Sequence, residues 1–522
     1  MDQAVYEEIA REILEEGWDV QRAKNRVCQR HGLHRPPSNT EILNSLSPDK
    51  RELLLHRLRK KPVRTLSGVA VVAVMTDPAA CPHGRCLYCP RGDDAPQSYT
   101  GFEPASLRAK RAGYDPFEQV YGRLRQLHVI GHNVEKTELI VMGGTFPARE
   151  PGYQEWFIKR SFDAMNSFGA SRRKRAGTLE EAHRLNEKAA VRNVGVTVET
   201  RPDFAKEAHV DRMLRLGVTR VELGVQTLRD DVLEKAGRGH DVADVIEATR
   251  IVKDSGLKIG YHMMPGLFTE PSEDLHMFRR LFAEPDFRPD MLKIYPTLVL
   301  RGTGLYEMWE KGRFRPLTDE ECIDLIVEIK KTLPKWVRTM RIQRDIPAQL
   351  IAAGVRKGNL GELVQERLEQ EGVRCRCIRC RDIGHLAYKE GIAAGELEIL
   401  VEGYESSGGN EIFISAEDTE KDALAGYLRL RYPSAEAHRP EMDRGTAVVR
   451  ELKVLGRSLR IGQKEADAEQ HRGVGKGLLE RAMEVAAEDG RERILITSAV
   501  GTREYYGKLG FRRLGPYMVR EL

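Results

Sequence analysis

The chain has 522 residues, 41% of them hydrophobic and 31% charged, an ordinary globular composition with room for two or three full cores. A formal net charge of only +5 excludes nucleic-acid binding through bulk charge, so any such contact rests on local patches. No stretch approaches the roughly 20 apolar residues of a membrane span, and the acidic, helix-periodic start MDQAVYEEIAREILEEG excludes a secretory signal.

Residues 1–65 read as a small helical module. Ile9, Ile13 and Leu14 form an apolar stripe, and Arg22, Lys24, Arg26 and Arg30 form a basic one. After Pro36-Pro37-Ser38 a second helix is expected from about Thr40, ending in the basic run His56 to Arg64. Any one of those cations is explained by a solvated helix C-terminus. Arg57, Arg59, Lys60, Lys61 and Arg64, five cations within eight positions, make phosphate contact the alternative.

From Gly68 the pattern is strand, loop, helix, repeated. Apolar runs at Val69–Met75, Glu138–Met142, Val194–Glu199, Arg220–Val225, Lys258–Met264 and Met291–Tyr295 are separated by helical periodicity, as at Tyr114–Val129, Pro151–Met165 and Val242–Ser255. Six strands alternating with helices predict an α/β domain over 66–345 whose parallel sheet curves into a partial barrel, with its chemistry on the loops after the strands. Those loops are polar or glycine-rich: Gly143-Gly144-Thr145, Glu199 to Asp203, Gly224-Val225-Gln226 and His262 to Gly266. Arg172 to Arg175 is read as an exposed basic loop. A connector at 346–395 carries four arginines interleaved with Cys375, Cys377 and Cys380, and from Leu397 an antiparallel pattern leads to a helix at Gly473–Ala487 and a strand at Ile494–Thr497.

The eight cysteines fall as two groups of three plus Cys28 and Cys322, which reads as metal sites in a reducing cytoplasm and not as disulfides. Cys81, Cys86 and Cys89 form a C-x4-C-x2-C run just after the first strand. Three close thiols without a fourth suit a 4Fe-4S cluster with one iron open; zinc is the competing reading. With Tyr88 between its last two cysteines the run resembles the radical S-adenosylmethionine signature, with one extra residue in the first spacer. That resemblance implies that Gly143 and Gly144 face the methionine moiety, that Gln226 and Arg238 contact the cofactor, and that Glu199 lies by its polar part. Jointly with the cysteine run these residues disfavour zinc there.

The segment Gln470 to Lys476 matches Q-x-x-G-x-G and opens a helix, where backbone N–H groups can cradle a pyrophosphate. With the strand Val448–Val454 before it and the Gly501 to Phe511 segment after it, it resembles a GNAT acetyl-CoA site.

The order of these domains, with Gln97 to Pro104, Asn359-Leu360 and Gly515 to Val519, resembles the catalytic subunit of Elongator, a tRNA wobble-uridine modifying family, from about residue 62 to the end. The resemblance implies a partial (β/α)6 TIM-like radical S-adenosylmethionine barrel, a GNAT domain over 396–522 and a helical N-terminal module. It further implies a 4Fe-4S cluster, S-adenosylmethionine and acetyl-CoA, an anticodon stem-loop as partner, an electron donor, and 5-carboxymethyluridine as product. A homodimer or a chain without accessory subunits would be its assembly. By the same resemblance Lys136, Glu451, Leu452, Lys453, Val454, Gly473, Val474, Gly475, Lys476 and Tyr506 contact acetyl-CoA, and Lys136, Tyr505 and Tyr506 serve its chemistry. Cys375, Cys377 and Cys380 resemble a zinc site; His385 has suitable spacing for a fourth ligand, a position equally open or filled from elsewhere. A protein lysine acetyltransferase with a merely structural cluster is the alternative activity.

Overall fold

The computed structural model describes residues 3–59, 65–90, 92, 94–456 and 473–522. A parallel sheet organises the first two thirds of the chain. Its strands are β1 (Ala70–Met75), β2 (Lys136–Met142), β3 (Arg192–Thr200), β4 (Arg220–Gln226), β5 (Lys258–Met263), β6 (Met291–Ile294) and, after the short β7 (Val299–Leu300), β8 (Arg338–Ile342). They are ordered β1-β2-β3-β4-β5-β6-β8 with every pair parallel. The half-barrel expected from the alternating pattern is therefore present, with a seventh strand added after the six. Arg338-Thr-Met-Arg-Ile gives β8 too little apolar character to stand out in sequence.

Helices cover the outer face of this sheet and make the apolar core there. Val72 and Val74 of β1, Leu139 and Val141 of β2, and Val196 and Val198 of β3 pack on Phe117, Val120, Phe157 and Phe162. The inward face is different. At alternate positions it carries Glu138, Thr197, Glu199, Arg220, Glu222, Lys258, His262 and Lys293, with glycines at 195, 224 and 260. Period-two alternation places all of them in the lumen, where a closed barrel of this kind is usually filled with branched apolar side chains.

After β9 (Ile351–Ala353) a second sheet is built from β10 (Glu398–Ser406), β11 (Gly409–Asp418), β12 (Ala423–Tyr432), β13 (Thr446–Val454), β14 (Arg493–Ile496), β15 (Arg512–Leu514) and β16 (Tyr517–Glu521). The order is β10-β11-β12-β13-β14-β16-β15, antiparallel except between β13 and β14. β13 pairs with β14 only over Thr446–Val449, so its next five residues leave that neighbour while still paired with β12. The helix Val474–Glu488 packs on one face through Leu478, Leu479 and Ala482.

The other face of the second sheet docks on the half-barrel through buried ions. Arg450 binds Asp290 at 2.6 and 2.7 Å, and Arg431 binds Asp254 at 2.6 Å. Glu411 accepts from both arginines.

At the N-terminus, helices Gln3–Leu14, Val20–Arg30, Asn39–Ser45 and Pro48–Leu58 enclose a small core of Ile9, Ile13, Val27, Ile42, Leu43 and Leu54. The single second helix expected from about Thr40 is two helices. Pro48 lacks the N–H that a continuous helix needs, and it starts the second as its first residue. Leu14, expected on the buried stripe, is exposed. Of the basic run, Lys60, Lys61 and Arg64 lie outside the described residues.

Candidate active site

The loop after β1 carries the first three cysteines at the open end of the half-barrel. Gln97 clamps it: its Oε1 accepts from Cys81 N at 2.8 Å and its Nε2 donates to Gly84 O at 2.8 Å. Arg85 donates to Cys89 O at 3.1 Å, and Leu87 N donates to Ala236 O at 2.9 Å. Near the thiols are Thr145 Oγ1, 3.5 Å from Cys81, His83 Nε2, 3.1 Å from Cys86, and Ser98 Oγ, 3.6 Å from Cys89, with the Arg238 guanidinium 3.9 Å from Cys86. Burial raises the Cys86 thiol, partly offset by the guanidinium of Arg238.

These cysteines line a cavity of about 530 Å³ together with Gly143, Gly144, Glu199, Gln226 and Arg238, the cofactor contacts expected from the resemblance. Gly143 has φ 117°, and a Cβ there would lie 2.3 Å from Thr76 Oγ1, so only glycine lets the chain turn at this point. Gln226 has φ 70° at the end of β4. Arg238 is buried, donates to Gly224 O at 2.6 Å and lies 3.9 Å from Cys86 Sγ. A Cβ on Gly224 would lie 2.4 Å from that guanidinium, which explains the glycine. His240 beside it is kept neutral, its pKa lowered to about 2 by burial and by Arg238 and Arg201.

The floor of the cavity holds residues that the sequence reading passed over. Lys293 is paired with Glu222 and lies 3.4 Å from Glu199; His262 Nε2 lies 3.0 Å from Glu222; Tyr99 Oη donates to Glu199 at 2.9 Å. Burial would neutralise Glu222, but Lys293 and the His262 hydrogen bond hold its carboxyl well below the usual range. The available signal was the recurrence of polar residues or glycine at alternate positions of β4 and β5, with Lys293 inside β6. Glu199, Glu222 and His262 cluster tightly enough for a metal ion, yet the Lys293 ammonium already supplies the positive charge between the carboxylates.

Further down the lumen, Arg220 bridges Glu138 and Glu222 at 2.5 and 3.3 Å. β13 closes the base, its Glu451 and Lys453 interacting there with Lys258, Arg338 and Glu138. Burial lowers Lys453 to about 8. Leu452 and Val474 turn the other way and pack on the core of the second sheet. Gly473 (φ 77°) precedes the helix that contains Val474, Gly475 and Lys476; Gln470 to Arg472 lie outside the described residues. Tyr506 is buried against Phe511, and Tyr505 is 46% exposed. Lys136 is not in the cavity. It begins β2 at the opposite end of the barrel, beside Arg192, which reaches Glu504 of the second sheet's closing helix at 3.1 Å. Burial lowers its pKa.

The sulfurs of Cys375, Cys377 and Cys380 lie within 4.8 Å of one another, a spacing that fits a single ion. Lys330 Nζ is 3.4 Å from Cys380 Sγ. Hydrogen bonds from Cys375 and Cys380 make Cys377 the most easily ionised of the three. His385 is not in this group. Cys81, Cys86 and Cys89 form no comparably tight group among the described residues, in keeping with thiols spread over the irons of a larger cluster.

A parallel half-barrel with a three-cysteine loop above a glycine-lined cavity defines a radical S-adenosylmethionine protein. The Radical SAM superfamily model matches residues 77–282, which implies a 4Fe-4S cluster and S-adenosylmethionine; a Radical_SAM C-terminal domain matches 289–370 and an ELP3 N-terminal domain 3–66. The chain is 51% identical over 497 residues to the tRNA uridine(34) acetyltransferase of Methanocaldococcus infernus, covering 93% of this chain and 92% of that one. It is 42% identical over 516 residues to Elongator complex protein 3 of Homo sapiens, covering 97% and 93%. The solved archaeal Methanocaldococcus infernus Elp3 with an N-terminal deletion superposes with a TM-score of 0.78 at 47% identity, covering 88% of this chain and all of that one. The chain belongs to the Elongator complex protein 3 family.

Proposed function

We propose that this chain modifies uridine 34 of tRNA: the methyl carbon of acetyl-CoA gives up one hydrogen atom and bonds to carbon 5 of the base, the hydrogen on that carbon leaves as a proton and an electron, and thioester hydrolysis releases CoA and leaves 5-carboxymethyluridine in the tRNA. One observation carries the reading: β13 serves two sites at once. Its edge is free of β14 beyond Val449, where a pantetheine arm can pair with the backbone of Glu451 to Val454, and its Glu451 and Lys453 side chains close the barrel whose far end bears the cysteine loop.

When bound, the cluster and S-adenosylmethionine would supply the one-electron chemistry that takes a hydrogen atom from a methyl group, with an external electron donor. The chain's own residues bind and shield. Cys81, Cys86 and Cys89 hold the cluster; Gly143 and Gly144 let the backbone approach the methionine moiety; Gln226 and Arg238 fix the cofactor's polar groups. Gly473, Val474, Gly475 and Lys476 present a helix N-terminus to the pyrophosphate. Lys136, with Tyr505 and Tyr506, lies on the side of the barrel that meets the second sheet and is assigned to the thioester. Cys375, Cys377 and Cys380 are assigned to zinc, a donor set that suits it. The site is reached by a base turned out of the anticodon loop, at a cost of a few kcal/mol.

The test uses acetyl-CoA labelled in its methyl group, with reconstituted enzyme, reductant and S-adenosylmethionine under anaerobic conditions. Label in tRNA as carboxymethyluridine is the expected result. Label on protein lysines, independent of S-adenosylmethionine, would overturn the reading in favour of an acetyltransferase.

A further inference from the structure

The floor of the cavity carries two charged groups with capacity to spare. Glu222 is closed off from the cavity: it takes Lys293, His262 and Arg220, and its side chain is 2% exposed. Lys293 and Glu199 differ, keeping 14% and 16% of their side chains exposed toward the cavity they line. An ammonium has three N–H donors, and Lys293 spends two on Glu222 and Glu199. A carboxylate has about four acceptor sites; Glu199 uses two, for Tyr99 Oη and Lys293 Nζ. One free donor beside one free acceptor therefore faces the cavity. Tyr295, edge-on to His262 at 5.4 Å, forms an adjoining wall.

We infer that Lys293 and Glu199 read the imide edge of the target base, Lys293 donating to a uracil carbonyl oxygen and Glu199 accepting from N3–H. The inference rests on the proposed function and reassigns Glu199 from the S-adenosylmethionine contact that the resemblance implies. Uracil offers acceptor and donor side by side on that edge. Cytosine offers a lone pair at N3 and a donor at N4, so its N3 would face the Glu199 carboxylate without a proton between them. A thioester carbonyl, the other acceptor that could enter, would engage Lys293 and leave Glu199 unused. A metal ion is disfavoured because the ammonium of Lys293 already bridges both carboxylates. Tyr99 and Glu222 are positioning residues: the first fixes the Glu199 carboxylate, the second the Lys293 ammonium.

The test compares anticodon hairpins carrying uridine, cytidine or 3-methyluridine at the target position. Binding is measured with cluster-loaded enzyme and S-adenosylmethionine, without reductant, so that the readout is affinity and not turnover. Wild type is expected to favour uridine over the other two by about 10-fold or more, the discrimination of one good paired contact. Glu199→Gln, whose amide can turn to donate or accept, is expected to bring the uridine-to-cytidine ratio close to one, chiefly because the cytidine hairpin binds more tightly once an amide N–H can meet its N3. Tyr99→Phe, which leaves both charges in place, is expected to reduce the ratio only partly. Iron content and binding of S-adenosylmethionine alone serve as controls. A uridine preference unchanged in both variants overturns the inference. So does a Glu199→Gln protein that loses S-adenosylmethionine affinity while keeping the base preference, which would return Glu199 to the cofactor. A wild-type enzyme that binds hairpins with no preference also overturns it. A wild type that binds no hairpin at all sinks the proposed function instead.

Discussion

Two groups of three cysteines in this chain look alike in sequence and differ in what surrounds them. Cys81, Cys86 and Cys89 sit on a loop at the mouth of a cavity, spread apart, with hydroxyl and imidazole neighbours. Cys375, Cys377 and Cys380 are drawn within 4.8 Å of one another at the junction of the two sheets. There the short helix Ile378–Arg381 ties both sides together: Ile378 N donates to Val337 O, and the buried Arg381 pairs with Glu417 of β11. A cluster that must accept electrons and a cofactor needs an open face, whereas a single structural ion is best closed off. Burial is alike in the two groups, two buried thiols and one half-buried in each, so it is sulfur spacing and the adjoining cavity that tell them apart where the cysteine pattern does not.

The largest expected effect breaks this comparison if it fails. Cys86→Ala should remove the cluster iron and reduce label transfer to tRNA by at least about 1,000-fold, with the unfolding midpoint moved by no more than about 4 °C. Cys377→Ala should do the reverse, keeping cluster iron in the folded fraction while lowering the midpoint by about 5–10 °C. Metal analysis with thermal unfolding reads both, and an equal loss of stability in the two variants would erase the distinction.

Next in size is the ionic seam between the domains. Arg450→Met removes the nearer of the two arginines paired with Asp290, a fully buried carboxylate, leaving Arg429 at 3.7 Å, and should cost about 3 kcal/mol in urea unfolding. Burial pushes Asp290 up, but Arg450 and Arg429 more than offset it and hold the carboxyl well below its ordinary value. A carboxyl depressed in the folded state contributes stability above its unfolded pKa, near 4, and loses it as pH falls below that. The wild type should therefore lose stability below about pH 4, and Asp290→Asn less steeply. A seam that tolerates Arg450→Met would leave the proposed zinc site as the main tie at the junction.

The smallest effect sharpens the description of the tight group. Lys330→Gln removes the only cation hydrogen-bonded to its sulfurs among the described residues, and should weaken retention of the proposed zinc by about 10-fold in chelator competition. Unchanged retention would make Lys330 a packed ion with no hold on the metal.

The legible parts of the site were those that are local in sequence. Cys81 to Cys89, Gly143-Gly144, Gln226 and Arg238 sit on or just after loops that follow recognisable strands, and the strand-loop-helix rhythm alone assigns such loops to one end of a parallel sheet. Glu222 and Lys293 were passed over, and His262 was named only as the start of a polar strand end, because each reads singly as a polar residue in a strand. Only the parallel register of β4, β5 and β6 lines them up in one lumen.

Composition and periodicity by themselves determined the half-barrel, the separate antiparallel unit and the cluster loop, because hydrophobic period and turn chemistry act over a few residues. Tertiary structure alone decided that the lumen is charged, that β13 turns Glu451 and Lys453 into it while its edge parts from β14, and that Lys136 lies far from the cysteines. Those features depend on which strands become neighbours across tens to hundreds of residues. Burial and charge pairing, the effects that fix the ionisation of these groups, are properties of that neighbourhood and not of any segment taken alone.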